Sequence, residues 1–330
     1  MTKILMTSVR ADEERAIQAF AQTHDLDITL SREPLHPDNM TDFSAYDGLI
    51  VQQTAKIGGD LAFYQHLAQQ GLKQITTRTA GYDMIEVGLA QAAGLKVTNV
   101  PAYSPRSVAE MALMQIFRLL RRTWAFDHRV AENDFRWAGL QAREIHTVTV
   151  GIIGAGRIGG TLAQLLHALG ARVLAYDTQP QDKHRAYLTY VDKATVLSES
   201  DVISLHVDLN PSSVGLLRAA DFKQMQSHAG LVNASRGQVI DTTDLIAALQ
   251  TGEIESAALD TVVGESAVFN QDLRTQGVAD TQIQTLLDLP NVILTPHVAF
   301  YTNLAIQNMV ETALTDVLRI INDLPAENEI

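Results

Sequence analysis

The stretch VTVGIIGAGRIGG, Val148–Gly160, decides the fold. Val148 to Ile153 is a run of β-branched and apolar residues, which reads as a buried strand. Gly154-x-Gly156-x-x-Gly159 follows directly, and an amphipathic helical pattern over residues 158–169 follows the glycines. Strand, glycines and helix in that order are the context that a dinucleotide-binding fingerprint requires. Gly154 allows a tight turn, Gly156 lets backbone amides approach a pyrophosphate, and Gly159 lets the helix pack closely on the strand. The helix N-terminus then offers free N–H groups to phosphate. The next strand pattern, ARVLAYD, ends in Asp177, 18 residues after Gly159. An acid at that point accepts hydrogen bonds from the adenosine ribose hydroxyls, and its charge repels a 2′-phosphate, so NAD is expected rather than NADP. Arg157 and Ile158, between the second and third glycines, are candidate cofactor contacts, although Arg157 reads equally well as a solvated charge.

Working outward, the same rhythm repeats. DVISLHV (201–207), GLVNAS (230–235), IESAALD (254–260) and NVILTP (291–296) complete a set of six expected strands, with helical patterns between them, such as 241–250. Toward the N-terminus, KILMTSV (3–9), DGLIVQ (47–52) and KQITTR (73–78) each precede a helical pattern, the last two over 61–70 and 84–93. Strands alternating with helices predict an α/β fold with parallel sheets. The apolar segment 107–122 predicts a long buried connecting helix, and 302–323 a closing helix. Residues 264–284 predict a long loop, and loops of that length are commonly functional or disordered.

Composition narrows the class. A chain of 330 residues suggests two domains, and 46% apolar residues suffice for two cores. A net charge of −13 argues against an electrostatic grip on nucleic acid or on an anionic membrane. No cysteine is present, so disulfides, thiol nucleophiles and Cys-ligated metals are excluded, and no metal is expected. No apolar run approaches the roughly 20 residues of a membrane span. MTKILMTSVR is not a signal peptide, so a cytoplasmic location is expected by default.

Hydride transfer to a 2-oxo acid would ask three things of the protein. Arg suits the carboxylate, His suits proton donation to the forming alkoxide, and an anion beside that His favours its protonated form. Such groups belong at the carboxyl ends of the strands. Arg236 follows GLVNAS, Glu265 lies past the strand ending in Asp260, and His297 follows NVILTP. Taken singly, each reads as an ordinary solvated side chain.

NASRGQVIDTTDLIAAL, ALDTVVGE and LTPHVAFYT, with NVPAYSPRSVAEMAL and DVISLHV, resemble the D-2-hydroxyacid dehydrogenase family over nearly the whole chain. HVAFYT, VFNQDL and the long gap between Glu265 and His297 are similar to the subgroup of bacterial D-lactate and D-2-hydroxyisocaproate dehydrogenases. The resemblance implies that Arg236 binds and polarises the substrate, His297 is the acid/base and Glu265 pairs with it. It implies two Rossmann-like or flavodoxin-like parallel-sheet domains, with the cofactor domain (about 103–299) inserted into a catalytic domain (1 to about 102, plus about 300–330). The site would lie in a cleft whose closure excludes water. The resemblance further implies a homodimer joined through the cofactor domain, with the 107–122 helix as the interface element.

By the same resemblance the Ala80 and Gly81 amides and Tyr103 are expected on the substrate side. Val207, Ser235 and Asp260 are expected to line the cofactor, with Asp260 near the nicotinamide amide. Where the family has RNVGVDNID this chain has RTAGYDMIE (78–86), a change that leaves the backbone amides in place. HVD (206–208) stands for the usual HVP, and the extra Asp is expected to weaken cofactor affinity slightly. Gln52 stands where lactate enzymes tend to have Tyr and hydroxyisocaproate enzymes Leu, unless a one-residue gap puts Val51 there. Trp137, Phe300 and Met309 are bulky and favour the lactate type. The alternatives are another member of the family, such as a glyoxylate or hydroxypyruvate reductase, and an NAD(H)-sensing, corepressor-like protein without turnover.

Overall fold

A computed structural model describes residues 2–39, 42–53 and 55–330. The chain begins with β1 (Thr2–Met6), α1 (Glu14–His24), β2 (Leu26–Leu30), β3 (Gly48–Val51), α2 (Leu61–Gln69), β4 (Gln74–Thr77), α3 (Val87–Ala92) and β5 (Lys96–Thr98). Then come α4 (Pro105–Leu120), α5 (Thr123–Ala131), β6 (Thr149–Ile153), α6 (Arg157–Ala168), β7 (Arg172–Tyr176), β8 (Thr189–Tyr190), α7 (Lys193–Glu199) and β9 (Val202–Leu205). It ends with α8 (Ala219–Phe222), β10 (Gly230–Asn233), α9 (Thr242–Thr251), β11 (Ser256–Leu259), α10 (Thr281–Asp288), β12 (Val292–Leu294) and α11 (Asn303–Ile321).

The chain divides into two compact units. The first holds Met1–Ser104 and Tyr301–Ile330, and the second is the single stretch Pro105–Phe300. In the first unit a five-stranded sheet runs β2-β1-β3-β4-β5, all parallel. That order is the flavodoxin-like one. Two apolar clusters fill it, one around Phe43, Tyr64 and Ile75, the other where β1 meets α11 through Ile4, Met6, Val310 and Val317. Gly48 in β3 permits that second contact, because a Cβ there would lie 2.6 Å from Val317 Cγ1.

In the second unit a seven-stranded sheet runs β12-β11-β10-β9-β6-β7-β8 and is again parallel throughout. The order reverses beside β6, the strand that leads into the glycines, and this is the point where open α/β sheets bind ligands. The centre is apolar on both faces: Val150, Ile152 and Val232 pack toward α4 and α6, while Ile203, Leu205 and Leu231 pack the other side. Pro105 opens α4, a position where its missing N–H costs nothing.

The two sheets agree with the expected parallel α/β architecture, and several details differ. The second sheet has seven strands rather than six, because the two-residue β8 adds an outer edge. β2 and β5 were not anticipated. The expected helix over 84–93 forms only over Val87–Ala92, since Met84 and Ile85 are buried in the turn before it. The expected loop 264–284 ends at Asp280, whose carboxylate accepts from the Gln282 and Ile283 amides and starts α10.

Candidate functional site

The glycine loop is built from the residues that announced it. Gly154 has φ +92°, and a Cβ there would lie 2.5 Å from the His206 carbonyl oxygen. A Cβ on Gly159 would lie 2.1 Å from the Gly154 carbonyl oxygen, so helix and strand meet there without room for a side chain. A Cβ on Gly156 would meet nothing within 4 Å, so the loop is open at that glycine. Closed at two glycines and open at the third, this cradle fits a pyrophosphate at a helix N-terminus. Asp177, just past β7, accepts from the Ala155 amide through Oδ2 at 2.7 Å and from the Gln179 amide through Oδ1 at 2.8 Å. Those bonds fix the carboxylate beside the loop, and lone pairs remain on both oxygens for ribose hydroxyls. Arg157 is the first residue of α6 and Ile158 packs on the core beneath. Val207 is half-buried after β9, near enough to Gly154 that a Cβ there would lie 2.9 Å from its Cγ1.

The second cluster sits at the carboxyl ends of β10, β11 and β12. The His297 Nδ1 lies 2.7 Å from Glu265 Oε1, and the Glu265 Oε2 accepts from the Val262 amide at 2.9 Å. Both side chains are partly exposed. His297 has φ +53°, a left-handed conformation uncommon for a residue with a side chain. Its turn is held from β11. Asp260, buried, accepts from Thr295 Oγ1 at 2.6 Å, from the Val298 amide at 3.1 Å and from the Ala299 amide at 2.9 Å. Its backbone carbonyl accepts from the His297 amide at 2.9 Å. The Asp260 carboxylate is thus engaged by the turn that carries the imidazole, which goes beyond the cofactor-lining place expected for it. Phe300 stands edge-on to His297, with ring centroids 6.3 Å apart.

Arg236 follows β10 in extended backbone, half-buried, and its Nη1 donates to the Ser235 carbonyl at 2.9 Å. Asn233 ties this turn together. Its Oδ1 accepts from the Ser235 amide and hydroxyl, and its Nδ2 donates to the Arg236 carbonyl. Asn233 was missed, although its place in NASRG, just before Arg236, was a usable signal. Gly237 is required next, because a Cβ there would lie 2.2 Å from the Val262 carbonyl carbon.

The remaining expected residues, apart from Trp137, lie in the first unit. Arg78, fully buried, pairs with buried Glu13 through Nε at 3.0 Å and anchors the start of the 79–82 loop. In that loop Asn99 Nδ2 donates to the Ala80 carbonyl and Thr79 Oγ1 to the Gly81 carbonyl, both at 2.6 Å. Tyr103 packs on the α11 cluster, and its carbonyl accepts from Asn308 Nδ2 at 2.6 Å. Gln52 is half-buried, and its Oε1 has no hydrogen-bond partner among the described residues. Val51, the other candidate for that position, is fully buried in the apolar cluster under β3. Met309 is buried in α11, whereas Trp137 is 88% exposed.

A glycine cradle beside an ordered carboxylate, on the same sheet as a carboxylate-bound imidazole, places the chain among the NAD-linked dehydrogenases. Residues 113–299 match the family model described as the NAD binding domain of D-isomer specific 2-hydroxyacid dehydrogenase. A D-2-hydroxyacid dehydrogenase (NAD(+)) of Clostridioides difficile is 38% identical over 99% of both chains. Among solved structures, a D-lactate dehydrogenase from Sporolactobacillus sp is 50% identical, with TM-score 0.87 over 100% of this chain and 99% of that one. A D-lactate dehydrogenase with NAD+ from Lactobacillus jensenii is 36% identical, with TM-score 0.90 over 100% and 99%. The chain belongs to the D-isomer specific 2-hydroxyacid dehydrogenase family.

Proposed function

We propose that this protein is an NAD-dependent D-2-hydroxyacid dehydrogenase of the D-lactate type, reducing pyruvate or a larger 2-oxo acid to the D-2-hydroxy acid. The observation that carries the reading is the 2.7 Å contact between His297 Nδ1 and Glu265 Oε1. With Nδ1 engaged, Nε2 is the nitrogen left to deliver a proton. Gly154, Gly156, Gly159 and Asp177 would hold the dinucleotide, with Arg157, Ile158, Val207, Ser235 and Asp260 around it. The hydride comes from the reduced nicotinamide when NADH is bound. His297 would supply the proton that completes the hydroxyl as the carbonyl π pair at C2 of the oxo acid moves onto oxygen. Arg236 holds the carboxylate through its planar fork and keeps C2 in place. The second unit is assigned as the cofactor domain and the first as the catalytic domain. In the first unit, Gln52, Ala80, Gly81 and Tyr103 are assigned to the substrate side by family resemblance alone, as Phe300 is in the second.

The same proposal includes a homodimer and a cytoplasmic location. Met114, Val130, Phe135 and Trp137 are exposed apolar side chains in and just after α4 and α5, and a second copy covering them would account for their exposure. Size-exclusion chromatography with light scattering tests the dimer. The function is tested with NADH and a panel of 2-oxo acids, followed by chiral analysis of the product. Turnover of pyruvate to D-lactate supports the reading. An L-product, or NADH binding without turnover of any acid, removes it.

A further inference from the structure

His184 lies in a 3-10 turn, Asp182–His184, between β7 and β8, and is 9% exposed. Its ring lies against the first turn of α6 at Gly160, the fourth glycine of GAGRIGG. A Cβ built on Gly160 would fall 2.1 Å from the ring Cε1, 2.4 Å from Nε2 and 2.6 Å from Nδ1. The imidazole therefore occupies the volume that any side chain at position 160 would need. Nε2 is sequestered there with no hydrogen-bond partner among the described residues. Burial is the main influence on the ring and disfavours its charged form, with Lys183 acting in the same direction. Opposing them are the Asp177 charge and the Gly156 backbone. Those two are the carboxylate and the open glycine of the cofactor cradle. Asp177 is also bonded to the Ala155 amide inside the loop.

A buried imidazole with one nitrogen unpaired is a poor choice for filling space alone, since a buried polar atom without a hydrogen bond is costly. Its neighbours give it a task. One face keys into α6 at Gly160, and its surroundings are the two groups that would meet the adenosine and pyrophosphate parts of a dinucleotide. We propose that His184 and Gly160 form a matched pair that positions the Gly156–Asp177 part of the loop, so that affinity for the ADP half of NAD depends on the two together. His184 is a positioning residue here, and the inference rests on the NAD-binding reading of the cradle.

The test is a double-substitution cycle on the full chain. The probes are NADH and ADP-ribose, read as Kd by fluorescence and calorimetry. Gly160→Ala drives a methyl into the ring and should raise both Kd values about tenfold, within the range expected of overpacking. His184→Ala empties the slot and should raise them several-fold. In the double variant the methyl enters an empty slot, so Kd should fall back to that of His184→Ala or below. The changes should read on KM for NADH and not on KM for the 2-oxo acid at saturating NADH. If Gly160→Ala costs the same with or without His184, the pairing is overturned. Should Gly160→Ala not fold, an unchanged ADP-ribose Kd in His184→Ala overturns it equally. A wild-type chain that binds neither probe would sink the NAD reading itself, an outcome distinct from additive variants.

Discussion

Glu265 divides its carboxylate between two partners: Oε1 meets His297 Nδ1 at 2.7 Å, while Oε2 accepts the Val262 amide at 2.9 Å. The second bond stops the side chain from turning away, so the first has a fixed direction. Glu265→Gln keeps the shape and removes the charge opposite the imidazole. Turnover of a 2-oxo acid should fall by about a hundredfold, the lower range of a positioned acid–base contribution. Steady-state kinetics check this, and an unaltered kcat would show that the pair is ornamental.

Arg236 offers a planar fork on a turn tied by Asn233. Arg236→Lys keeps the charge and loses the two-point grip. It should raise KM for the oxo acid and lower kcat/KM by roughly 10- to 100-fold, as for one or two charge-assisted hydrogen bonds. Kd for NADH, measured in parallel, should stay within about twofold on this account, because the lost grip is on the carboxylate.

Asp260 holds the left-handed turn of His297 by three side-chain bonds. Asp260→Ala leaves the buried Ala299 amide and the half-buried Val298 amide unpaired, a cost of about 1–3 kcal/mol for the buried one and less for the other. Thermal unfolding should move down by several degrees, and kcat should drop with it. Asp260→Asn should recover part of the loss in melting temperature, because its oxygen can still accept one of the amides.

Glu13 and Arg78 are both fully buried and paired at 3.0 Å. Glu13→Ala strands the guanidinium, and a loss of about 3–5 kcal/mol is expected from breaking one side of a buried pair. Urea unfolding measures it. A midpoint equal to wild type would mean that water reaches Arg78.

His206 follows β9, with Nε2 2.8 Å from Ser204 Oγ and Nδ1 sequestered without a partner among the described residues. Burial pushes the imidazole down to about 4 from an ordinary 6.5. Between those values the unfolded chain binds a proton that the native ring refuses. Stability is therefore full above pH 6.5 and falls as pH drops toward 4, by at most about 3 kcal/mol. His206→Gln should flatten that part of the acid limb in denaturant unfolding measured across pH.

Much of the second unit is legible in the sequence, because a buried parallel strand, three glycines and an acid at fixed spacing admit few readings. The strands that escape notice are the weak ones. β2, LDITL, does alternate apolar and polar, but over five residues none of which is fully buried, while β5 has three residues and β8 two, so each signal is short. α10 is hidden inside an apparent loop although Asp280 caps it, since one capping residue is a faint signal beside a long polar run. Arg236, Glu265 and His297 are suitable residue types at strand ends, and it is the family resemblance that singles them out. The hold of Asp260 on residues 295–299 does not, since it joins positions up to 39 apart in sequence and depends on β11 lying beside β12. Likewise the fit of His184 to Gly160 depends on a turn folding back against a helix.

The first unit is completed by residues from both sides of the second. The Ile330 amide donates to the Val97 carbonyl, Glu329 bridges Thr98, and α11 supplies Val310, Leu314 and Val317 to the core of β1. During synthesis the ribosome therefore releases the opening strands long before their packing partner exists. Meanwhile the whole of Pro105–Phe300 emerges and can close on itself. The unit that starts first is the one that finishes last, and its exposed strands in the interval are where a chaperone has most to protect.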